Sequence, residues 1–105
     1  MSKIKITKAK ETNYSILKGI LDTFSDEAFL TADGFDAAVI GVDLESMRLI
    51  YSVKKIINIL SEQFSSEMSP EDMHESPDTM AREYFEYNIR GSKGDNYPIW
   101  CEDNF

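Results

Sequence analysis

A chain of 105 residues has room for one hydrophobic core and no second domain. Its composition, 42% hydrophobic and 11% aromatic, is rich enough to fill that core, which excludes wholesale disorder. With 11 basic against 19 acidic residues the net charge is −8, so the average surface repels a phosphate backbone and direct nucleic-acid binding is not expected.

Residues 1–11 alternate Ile4 and Ile6 with Lys3, Lys5 and Lys8, a period of two that fits an edge strand or a loose basic arm. The remainder, 12–105, reads as a single α+β domain. Over 13–24 the residues Ile16, Leu17, Ile20, Leu21 and Phe24 share one helical face, with Thr12 or Asn13 as the N-cap. Gly19 weakens that helix by about 1 kcal/mol relative to Ala, so packing has to hold it. Asp33-Gly34 supplies a turn. Two β-branched runs then flank the short connection Leu44-Glu45-Ser46-Met47, which predicts an antiparallel hairpin over 38–53. Gly41 inside its first strand marks a bulge or a close backbone approach.

A helix follows directly, capped by Ser52 and striped by Ile56, Ile57, Leu60 and Phe64. The polar stretch 65–79 contains Ser69-Pro70 and Ser76-Pro77, and each pair suits a serine cap followed by proline in the first turn. From the second pair a helix is expected over 77–89, with Ala81, Tyr84, Phe85, Asn88 and Ile89 on one face and Gly91 entering the left-handed region as its C′ residue. Pro98 confines a strand at 99–101 to a sheet edge. The expected architecture is a small antiparallel sheet, the central hairpin plus the C-terminal edge strand, packed against three to four helices. Its core is expected to run through Val39, Ile50, Phe85 and Ile89. Strands and helices are segregated rather than alternating, which argues against a doubly wound sheet.

Candidates for chemistry are few. Cys101 and His74, the one cysteine and the one histidine, exclude an internal disulfide framework and a Cys/His zinc site, and fit a reducing compartment. A thiolate activated by imidazole needs a third group to orient it, and none is recognisable around this pair. Asp33, Asp36, Asp43 and Glu45 surround the hairpin without the alternating ligands of a calcium loop. Gly91 and Gly94 flank Lys93 without the preceding strand and following helix of a phosphate cradle. No catalytic residue, metal ligand or cofactor is assigned. The basic N-terminus lacks the apolar run of a signal peptide and no stretch is long enough to span a bilayer, so a cytoplasmic location and no membrane partner are expected.

Charge and aromatics are distributed unevenly. Glu62, Glu67, Glu71, Asp72, Glu75, Asp78, Glu83 and Glu86 face a single base, Arg82, within 62–86, while Lys3, Lys5, Lys8 and Lys10 make the first ten residues basic. An acidic stretch of this kind either keeps the protein soluble or steers it onto a basic protein surface. Tyr84, Phe85, Tyr87, Tyr97, Trp100 and Phe105 concentrate near the C-terminus, mostly as core. Exposed aromatics among them would mark a contact for a partner or a second copy. The candidate partner-binding residues are therefore Glu67, Glu71, Asp72, Glu75, Tyr87, Trp100 and Phe105.

The segments AVIGVD at 38–43, RLIYS at 48–52, AREYFEYNIRG at 81–91, Gly94 and PIWCED at 98–103 together resemble a set of small uncharacterised proteins of tailed bacteriophages. The pattern covers about residues 37–103; the acidic Ser-Pro stretch and the basic arm depart from it. The resemblance carries no activity or site residue. It implies an accessory protein that binds and redirects or inhibits a host protein, a defence or nucleic-acid-handling system included, in the cytoplasm of the infected bacterium. The expected function is thus non-enzymatic binding of a basic host protein. The alternatives are a small enzyme or nucleotide- or metal-binding module, and a minor virion component.

Overall fold

A computed structural model of the chain describes residues 6–8, 14–67, 76–91, 94 and 97–103. They form a small α+β fold. The expected N-terminal strand is present as β1 (Ile6–Lys8), which pairs antiparallel with β2 (Leu30–Ala32) in a two-stranded ribbon of its own. Between them lies α1 (Ser15–Thr23). Strand β2 has no sequence signature, because three residues are too few to show alternation, and both Thr31 and Ala32 are buried.

A short 3₁₀ turn (Asp36–Ala38) leads into the predicted hairpin of β3 (Val39–Asp43) and β4 (Arg48–Ser52). Gly41 marks a bulge. The register shifts between Val39 and Gly41, leaving Ile40 as the extra residue, and the space where a Cβ on Gly41 would project is open. The bulge has a packing consequence. Val39 and Val42 are three apart, which in a regular strand puts them on opposite faces; here they pair with Tyr51 and Leu49 and both reach the core.

The third strand corrects the expected all-antiparallel sheet. β5 (Ile99–Cys101) sits at the edge, as Pro98 requires, but runs parallel to β4 in a mixed sheet of order β3-β4-β5. Parallel pairing demands a crossover, and the long connection that contains the next two described helices returns the chain to the end where β4 begins. Ile50 is a second correction. It pairs with Gly41 and Ile99 and is only half-buried, while its neighbours Leu49 and Tyr51 carry the hairpin's share of the core.

Helix α2 (Val53–Glu67) follows β4 without a loop, and the predicted cap is present: Ser52 Oγ accepts the Lys55 N–H at 3.0 Å. Helix α3 (Pro77–Asn88) starts from Ser76, whose Oγ accepts the Thr79 N–H at 3.2 Å. Ile56, Ile57 and Leu60 of α2 and Ala81 and Phe85 of α3 are buried, as is Ile89 just beyond α3, and Phe64 meets Tyr84 edge-on at 5.9 Å between ring centres. Gly91 does not take the left-handed conformation expected of it. The N–H groups of Ile89 and Arg90 instead converge on the Phe85 carbonyl, ending α3 before Gly91 is reached, and the positive-φ residues described are Gly34, in the predicted turn, and Met47. For α1 the N-cap is Tyr14 rather than Thr12 or Asn13, with no side-chain cap bond, and Ile16 falls on the helix flank, 46% exposed.

Candidate interaction surface

Helix α3 turns Ala81 and Phe85 inward, which leaves Arg82, Glu83, Glu86 and Tyr87 on its outer side around a shallow depression of about 420 Å³. Tyr87 is 84% exposed, the most exposed large apolar side chain described. Its acidic neighbours differ in state. Asp78 is paired with Arg82 at 3.0 Å, and Glu86 is held bidentately by Arg90, which also reaches Glu102 and lies 5.1 Å above the Phe85 ring. The hydrogen bond from Arg90, with its charge, holds the Glu86 carboxyl below its ordinary value. Glu83 makes no ion pair among the described residues, so it is the α3 acid whose charge is not already spent internally.

Of the sequence candidates, Glu67 is exposed at the last residue of α2, whose last turn carries no basic residue. Glu71, Asp72, Glu75 and Phe105, together with His74, lie outside the described residues. Trp100 is engaged within the fold: its ring lies 5.5 Å from Tyr51 and 6.4 Å, edge-on, from Phe85. Tyr87 is thus the described aromatic candidate presented to solvent. Cys101 is half-buried in β5, opposite Ser52.

Of the hairpin carboxylates, Asp43 is occupied locally. Asp43 accepts from Ser46 Oγ at 2.5 Å and from the Glu45 N–H at 3.3 Å, and the Ser46 hydroxyl is the main cause of its lowered carboxyl pKa. No group of three His, Cys, Asp or Glu side chains able to hold a metal ion occurs among the described residues.

Two further arrangements were not legible in the sequence. Asp103 reaches the start of α2, accepting from Ser52 Oγ at 2.6 Å and from the Lys54 N–H at 2.9 Å. Burial raises its pKa, but these two donors outweigh burial and leave the carboxyl below its ordinary value. The second is an open cleft of about 480 Å³ between the start of α1, the turn at 34–37 and α2, lined by Tyr14, Gly34, Ala37, Ile59, Glu62, Gln63 and Ser66. Tyr14 and Glu62 stand out only as an ordinary tyrosine and an ordinary helix-face acid until the turn brings them to one cleft.

No family model matches the chain, and no curated protein or solved structure matches it significantly. Among the described residues no helix is long and apolar enough to cross a membrane.

Proposed function

We propose that this chain is a non-enzymatic binding module, a phage accessory protein that docks on a basic surface of a host protein through the outer side of α3 and the adjoining acidic stretch. The observation that carries the reading is Tyr87, 84% exposed beside Glu83, which makes no ion pair among the described residues. An aromatic ring standing in water costs solvation and gains nothing for the core, whereas tyrosine flanked by charge is a recurrent anchor at interfaces. A partner's Lys or Arg gains from the ring face and from the carboxylate together. Acids around such an anchor speed encounter more than they slow departure.

The test is capture from host lysate followed by kinetics on the captured protein. Tyr87→Ala is expected to speed dissociation at least about tenfold, the order for losing an interface anchor. Replacing Glu67, Glu71, Asp72 and Glu75 by Gln or Asn is expected to slow association instead. Raising salt from about 50 mM to about 500 mM should reproduce that slowing, because the screening length falls from roughly 14 Å to about 4 Å. A partner bound equally well by the Tyr87→Ala variant, with salt-independent association, removes this surface from consideration.

A further inference from the structure

We draw no further inference here: the strongest candidate, the outer face of the mixed sheet, where the half-buried Ile50 of β4 and Ile99 of β5 lie side by side, is apolar and partly open, and nothing in the structure shows what covers it.

Discussion

Helices α1 and α2 begin in opposite ways. α2 starts on Ser52, whose hydroxyl accepts one orphan N–H, and Asp103 arrives from the end of the chain to take a second, so the positive end of the helix faces a carboxylate. α1 starts on Tyr14 with no side-chain cap, no acid in its first turn and a glycine at its centre. What holds α1 is Leu17, fully buried, with Ile20, Leu21 and Phe24 packed against the same core. The C-terminal half is therefore secured by burial and by polar contacts between distant residues, whereas the N-terminal helix relies on its buried face without a side-chain cap. Beside it, β2 is tied to the hairpin by a polar contact, in which Tyr51 Oη accepts the Ala32 N–H at 2.8 Å.

The sharpest way to break the better-secured half is at its apolar centre. Phe85 is 1% exposed and touches both Trp100 and the Arg90 guanidinium, so Phe85→Ala should cost about 3–5 kcal/mol and unfold a large fraction of the protein at 37 °C. A melting curve that stays in place would show that α3 does not share the hairpin's core. Next in size is Tyr51→Phe, which leaves the ring but strips the buried Ala32 N–H of its acceptor. The expected loss is about 1–3 kcal/mol, with faster hydrogen exchange at Ala32 than at Leu49. The Tyr51 phenol is not a pH switch: burial, reinforced by the charge of Asp36, pushes its pKa well above the ordinary tyrosine value.

The caps come third. Ser52→Ala and Asp103→Asn should each cost roughly 1 kcal/mol, and the double variant less than the sum, because both residues serve one helix end and bond each other. Asp103 also sets an acid limit. Its carboxyl pKa is lowered on folding, so its contribution is fully present above the unfolded value of about 3.9 and is lost as the pH falls through the lower folded value. Denaturant titrations between about pH 5 and pH 2.5 should show wild-type stability falling more steeply than that of Asp103→Asn; parallel curves would deny the carboxylate this role. Smallest, and opposite in sign, is Gly19→Ala. Gly19 is exposed with open space where the new methyl would project, so α1 should gain about 0.5–1 kcal/mol. A loss of stability there would mean that α1 needs the glycine for its approach to the sheet.

Local periodicity and capping were readable wherever an element is governed by its own residues. The hairpin, the bulge at Gly41, the serine caps of α2 and α3 and the Asp33-Gly34 turn all follow from neighbours a few positions apart, and each is present. The exposure of Tyr87 follows from the same helical spacing that buries Phe85 two residues earlier. By contrast, spacing places Ile16 on the apolar helix face and the expected core includes Ile50, yet both lie where a helix flank or a strand's outer face turns them partly to solvent.

What the tertiary structure alone decided are the pairings between residues far apart in the chain. Nothing in β5 itself distinguishes a parallel from an antiparallel neighbour, since alternation sets which side chains face inward and not the direction of the adjacent strand. The ribbon of β1 with three-residue β2, the reach of Asp103 to a helix 49 residues earlier and the meeting of Tyr14 with Glu62 in one cleft share that character. In each case the free energy belongs to a contact that exists only after loop closure has brought the partners together, so no window of sequence contains it.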